Sequence, residues 1–91
     1  MTAVTFHIDP GHAWLEVNQP MLSLAGLTAK SFSRYSYTDR RAPTGVRYYL
    51  EEDCDAYIFI KAWESKSPAD PLTFSEKYTD YDSRIRRLPR L

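Results

Sequence analysis

The stretch VTFHIDPGHAWLEV, residues 4–17, decides the fold. With Asp9-Pro10-Gly11-His12 as the turn, Ile8 faces Ala13, Phe6 faces Leu15 and Val4 faces Val17, which sets the apolar pairs on one face. That agreement predicts a β-hairpin and its register. An L-proline turn of type I or II does not match the twist of the flanking strands, so the connection is expected to be a looser four-residue loop in which the Asp9 side chain bonds the backbone ahead of it. The opposite face pairs Thr5 with Glu16 and His7 with Trp14, and its meaning turns on whether a second layer covers the tryptophan.

Working outward, NQPMLSLAGL reads as a short helix, with Asn18 or Gln19 before it, Pro20 in its first turn and Gly26 ending it. SFSRYSYTD is expected to form a strand with Ser33, Tyr35 and Tyr37 on one face and Phe32, Arg34 and Ser36 on the other. DRRAPTG is a loop broken by Pro43 and Gly45. VRYYLEE returns as a strand in which Val46, Tyr48 and Leu50 alternate with Arg47, Tyr49 and Glu51. From Asp53 the period changes. Ala56, Phe59, Ile60 and Trp63 fall at i, i+3, i+4 and i+7, one face of a helix that must stop before Pro68 and Pro71. LTFSEKYTD is a further strand, and Asp82-Ser83 can cap a last helical turn, SRIRR, before Pro89. The order ββαββαβ, with about five strands, two helices and a short C-terminal helical turn, describes one α+β domain over residues 1–91, a mainly antiparallel sheet with its helices on one face.

Composition agrees with a small globular domain: 43% of the 91 residues are hydrophobic and 26% charged, ordinary values for a folded chain. No run approaches the ~18 apolar residues of a membrane span, and MTAVTFHID lacks the basic and apolar regions of a signal peptide. The single cysteine cannot form an internal disulfide, which fits a reducing compartment; the expected location is cytoplasmic, with no membrane partner. Twelve basic and twelve acidic residues cancel, so no global field recruits nucleic acid. The charges are segregated, however: Lys30, Arg34, Arg40, Arg41 and Arg47 precede the acidic Glu51, Glu52, Asp53 and Asp55, and RIRRLPRL closes the chain.

The segment YLEEDCDA suggests chemistry and is explained by local structure. Asp53 or Asp55 is expected to cap the second helix, where a carboxylate gains ~0.3–1 kcal/mol from free amides and the macrodipole. Cys54 is then expected to pack as a small hydrophobe at the junction. Glu51 and Glu52 end a strand and point to opposite faces, so they cannot join Asp53 around one cation. His7-Ile8-Asp9-Pro10-Gly11-His12 offers H-x-D-x-x-H, but a strand and its turn aim these groups apart, and no third zinc ligand follows at suitable spacing. Three glycines in all leave no glycine-rich phosphate loop. The expectation is a non-enzymatic protein without metal or cofactor. An enzyme using Cys54, or His7 and His12, is the reading it displaces.

Seven tyrosines are the unusual feature of composition, and tyrosine with arginine dominates binding hot spots. Arg34, Tyr35 and Tyr37 on one strand, the loop pair Arg40 and Arg41, and Arg84, Arg86 and Arg87 near the C-terminus are the candidate binding residues, with Glu51 and Glu52 as an acidic counterpart. They suit a protein interface made by charge complementarity. A direct nucleic-acid binder that stacks bases on tyrosine and meets phosphates with arginine is the alternative, opposed by the zero net charge.

GHAWLEV, the SRYSYTD segment, YLEEDCDA and the closing IRRLP together resemble a family of small, uncharacterised bacterial proteins carried by plasmids, integrated elements and phages. The resemblance spans most of the chain and implies a setting in a bacterial host cell, with no assigned activity. This sequence departs from the pattern in having Ala13 where a glycine is usual, and in the longer RRAPTG loop. Small binding proteins of such elements include inhibitors of host defence, anti-CRISPR proteins among them. A host protein or ribonucleoprotein complex is therefore the expected partner.

Overall fold

The computed structural model describes residues 1–91. Strands β1 (Thr2–Ile8) and β2 (Ala13–Asn18) pair antiparallel with Ile8 opposite Ala13, His7 opposite Trp14, Phe6 opposite Leu15 and Thr5 opposite Glu16, the register that the apolar alternation predicts. The turn is the looser loop expected. Its amide Asp9 N donates to the His12 carbonyl at 2.9 Å, and the Asp9 carboxylate accepts the Gly11 and His12 amides at 3.0 and 2.9 Å.

Strands β3 (Tyr37–Asp39), β4 (Arg47–Glu51) and β5 (Leu72–Tyr78) complete a five-stranded sheet in the order β3-β4-β2-β1-β5. All pairings are antiparallel except β1 with β5, which is parallel. The sheet is therefore mixed. A parallel neighbour cannot be reached by a hairpin, and helix α2 (Asp55–Lys66) carries the chain from β4 across β2 and β1 to the far edge.

Helix α1 (Gln19–Leu24) and α2 cover one face of the sheet. Asn18 caps α1 by accepting the Met21 amide at 2.9 Å, and Gly26 follows with φ of 75°, a conformation that disfavours any side chain. The core joins Leu15, Val17, Tyr48 and Leu50 of the sheet to Leu22 of α1 and to Ala56, Phe59 and Trp63 of α2. These α2 residues are the predicted helical stripe, with Ile60 half-buried beside them. Full burial of a side chain such as Phe59 contributes about 1.5–3 kcal/mol. Beyond the helix, the Trp63 indole N–H donates to the Asp70 carbonyl at 2.7 Å. Asp70 in turn accepts the Thr2 hydroxyl at 2.8 Å, fastening the loop to the start of β1.

Three expectations are corrected. The strand expected across SFSRYSYTD shrinks to Tyr37–Asp39, preceded by a 3-10 turn at Ala29–Ser31 and a further turn through Ser33–Ser36. Short hydroxyl side chains offer the backbone alternatives to a ladder, and here a buried acid collects them. The Asp55 Oδ2 atom accepts the Ser33 amide, the Ser33 hydroxyl and the Ser36 hydroxyl at 2.9, 2.8 and 2.5 Å. Asp55 is thus not the cap of α2, and neither is Asp53. Cys54 occupies the cap position without a side-chain bond. Glu51 takes over instead, accepting the amides of Asp53 and Cys54 at 3.1 and 3.0 Å. Cys54 is exposed rather than packed.

The two sheet edges differ. At β3 the C-terminal residues close the edge, with Thr38 N donating to Pro89 O and Leu91 N to Ser36 O, both at 2.9 Å. At β5 the edge is open. Thr2 N bonds Pro71 O and Thr79 N bonds Ile8 O, so the even-numbered residues, Phe74 and the exposed Tyr78 among them, turn their amides outward.

Candidate functional site: two hollows on the outer sheet face

Strand alternation places Thr5, His7, Trp14, Glu16, Arg47, Tyr49 and Glu51 on the face away from the helices. Trp14 is not left in water. The chain returns over it as a strap: Ser83 caps a 3-10 turn at Arg84–Arg87 by accepting the Ile85 amide at 3.2 Å. Ile85 sinks among Trp14, Tyr37 and Tyr49 as a small second core. Arg86 locks the strap to the β1–β2 turn, its Nε and Nη2 donating to Asp9 at 2.7 and 2.9 Å. The Ser83 amide adds a bond to the same carboxylate at 3.0 Å. Asp9 is buried, and the Arg86 guanidinium, aided by the backbone amides, holds its carboxyl well below the usual range against the opposing effect of burial. The Arg86 guanidinium also lies 5.4 Å from the Trp14 ring centre.

The strap separates two hollows. The first, of about 310 Å³, is lined by His12, Trp14, Tyr35, Tyr37, Glu51, Asp53, Arg86 and Arg90. Tyr35, Tyr37, Glu51 and Arg86, selected from the sequence, come together here. Tyr37 is buried and forms the floor, with the Arg90 guanidinium 5.3 Å above its ring. Tyr35 is 57% exposed on the rim, and Arg34 stacks on it at 5.7 Å. Arg90 reaches back to the Arg34 carbonyl at 3.3 Å. Glu51 faces the hollow while its carboxylate serves the α2 start, and Glu52 is exposed outside it. The remaining arginines lie elsewhere. Arg40 and Arg41 border a separate depression with Leu88 and Pro89, Arg87 is exposed, and Arg84 faces the second hollow.

That second hollow, about 520 Å³, is more polar. The His7 Nε2 atom lies 2.7 Å from Glu16 Oε1, and Arg47 Nε is 3.6 Å from the other Glu16 oxygen. The His7 contact, outweighing burial, holds the Glu16 carboxyl below its usual range. Tyr49 lies edge-on to His7 with ring centres 5.6 Å apart; burial first and the Glu16 charge second push its phenol above the ordinary value, so it remains a donor at neutral pH. Arg84 approaches Asp39 at 3.9 Å from the strap, and Lys77 stands beside His7 across the β1–β5 ladder.

Of this second cluster only Arg84 was selected from the sequence as a binding residue, and His7 was weighed only beside His12; the hairpin register carried the further signal, because it makes His7 and Glu16 diagonal neighbours on one face. His7 and His12 line different hollows, so the H-x-D-x-x-H spacing does not assemble a site. No group of three His, Cys, Asp or Glu side chains is arranged to hold a metal ion, and no helix is long and apolar enough to cross a membrane. Comparison with protein-family models, with curated proteins and with solved structures returned no match.

Proposed function

We propose that this chain is a small non-catalytic binding protein that engages a protein or ribonucleoprotein partner through the first hollow. The observation that carries the reading is Tyr35. It stands 57% exposed at the rim of a hollow floored by buried aromatics and flanked by arginines, the residue types from which hot spots are built. Asp53 and the neighbouring Glu52 supply the opposite charge at one side, so a partner with paired basic and acidic patches is accommodated. In the mobile-element setting that the sequence resemblance implies, such a protein acts in the bacterial cytoplasm as an inhibitor of a host defence complex, of the anti-CRISPR type.

The test is affinity capture from host lysate with the tagged protein and its Tyr35→Ala variant, with and without nuclease. Capture of a defined complex by the wild type, resistant to nuclease and weakened about 30-fold by Tyr35→Ala as expected for a hot spot, supports the reading. Identical recovery by both proteins overturns it. Charge reversal at Glu52 and Asp53 tests the acidic side separately, because neither side chain carries a structural bond that the change would break.

A second reading draws on a different neighbourhood. Arg40 and Arg41 meet Leu88 and Pro89 of the strap, and Arg90 bridges to Tyr37 of β3, so arginines far apart in sequence stand along the β3 edge. With Tyr35 as a stacking platform they suit single-stranded nucleic acid. Binding to an oligonucleotide that falls steeply with salt supports this reading, and none even at low salt removes it.

A further inference from the structure

We propose that the second hollow is an oxyanion-binding site, for a small molecule carrying a phosphate or carboxylate group. The two carboxylates that border the hollow are already engaged. Glu16 is held by His7 at 2.7 Å and faces Arg47 at 3.6 Å, and Asp39 accepts the Arg41 amide at 3.0 Å. The cations are not matched in the same way. Arg84, with its side chain 67% exposed, has one ion-pair approach, 3.9 Å to Asp39, and lies against the Tyr49 phenol; a guanidinium has five donors in a fork that fits an oxyanion, so most of them are left for a ligand. Lys77 takes part in no ion pair. The Tyr49 phenol adds a neutral donor on the floor, and Pro43 and Ile85 supply apolar wall.

Donors therefore exceed acceptors around a concave space of about 520 Å³, larger than one inorganic anion needs and suited to an organic molecule that bears it. Each of these groups sits on a hydrogen-bonded element: Lys77 in β5, Tyr49 in β4, and Arg84 on a strap anchored by Asp9. The site does not depend on the first hollow. It shares with it only the strap between them.

The experiment is an amide chemical-shift titration of the intact protein at constant ionic strength, with inorganic phosphate, glycerol phosphate and acetate as probes and chloride as the reference. The expected result is saturable shifts confined to residues 7, 16, 39–49 and 77–85, weakened about tenfold in Arg84→Gln and in Lys77→Gln, as for loss of a charge-assisted hydrogen bond. Tighter saturation by the phosphomonoester assigns the natural ligand to phosphate chemistry; tighter saturation by acetate assigns it to carboxylates. Shifts that merely match those in chloride, or curves unchanged in both variants, overturn the proposal. Both side chains are exposed and neither belongs to the buried core, so the variants fold. Tyr35→Ala leaves these curves unchanged, which separates failure here from failure of the partner-binding reading.

Discussion

Asp9 and Arg86, 77 residues apart in sequence, meet through two hydrogen bonds of 2.7 and 2.9 Å and join the first turn of the chain to its last. The Asp9 side chain has no solvent exposure, so the contact is a charged pair with one member buried. Its role is to hold the strap that buries Trp14 and divides the outer face.

Replacing Asp9 by Ala removes charge-assisted bonds to Arg86 and leaves the turn amides without a partner, a loss of about 2–3 kcal/mol. Denaturant unfolding measures it, and a red shift of tryptophan fluorescence reports release of the strap from Trp14. The acid dependence has a definite sign. The folded carboxyl titrates below its unfolded value of 3.8, so its contribution is complete at neutral pH and declines as pH falls below about 5 toward the folded value. Asp9→Asn flattens that part of the stability–pH profile. An unchanged profile in the variant contradicts the assignment.

Asp55 and Asp53 test the corrected helix start. Asp55→Ala leaves three donors from Ser33 and Ser36 without their buried acceptor, a destabilisation of about 3 kcal/mol. Asp53→Ala changes stability by less than about 0.5 kcal/mol, as at an exposed position without a side-chain bond. Equal effects in thermal melts rule out the arrangement described.

Glu51 and Glu52 separate in the same manner. Glu51→Ala removes the acceptor of two amides at the α2 start and lowers stability by about 1 kcal/mol, the magnitude of a lost helix cap. Glu52→Ala is neutral in the same melts. Any binding defect from changing both together must first be corrected for the structural share of Glu51.

Cys54 is exposed at the cap of α2. A maleimide or iodoacetamide reagent labels it to completion in the native protein, and mass spectrometry reads one adduct. Labelling changes the melting temperature little, since no core contact is lost. Labelling that requires denaturant returns the residue to the core.

The hairpin, both helices and β4 were legible in the sequence because their signals are local. Val4, Phe6 and Ile8 alternate against Ala13, Leu15 and Val17, and Ala56, Phe59 and Trp63 repeat at helical spacing. The strand expected at SRYSY failed for a nonlocal reason: a buried carboxylate 22 residues on from Ser33 captures its hydroxyl and amide. Glu51 rather than an aspartate ties down the turn before α2, because the tight turn at Glu52-Asp53 brings the β4 end beside the amides of Asp53 and Cys54.

The sites divide along the same line. Composition singled out tyrosine and arginine, and Tyr35, Tyr37 and Arg86 do line one hollow. Which of them is open depends on the return of the chain, which buries Tyr37 and leaves Tyr35 exposed. The His7–Glu16 cluster needed the sheet, the β5 edge and the strap together before its cations outnumbered its carboxylates in one concave space. Alternation along the chain determined which side chains share a face of this protein. Only the tertiary structure decided which of them water can reach, because Ile85 and Arg86 are placed over Trp14 by an ion pair with Asp9 at the other end of the sequence.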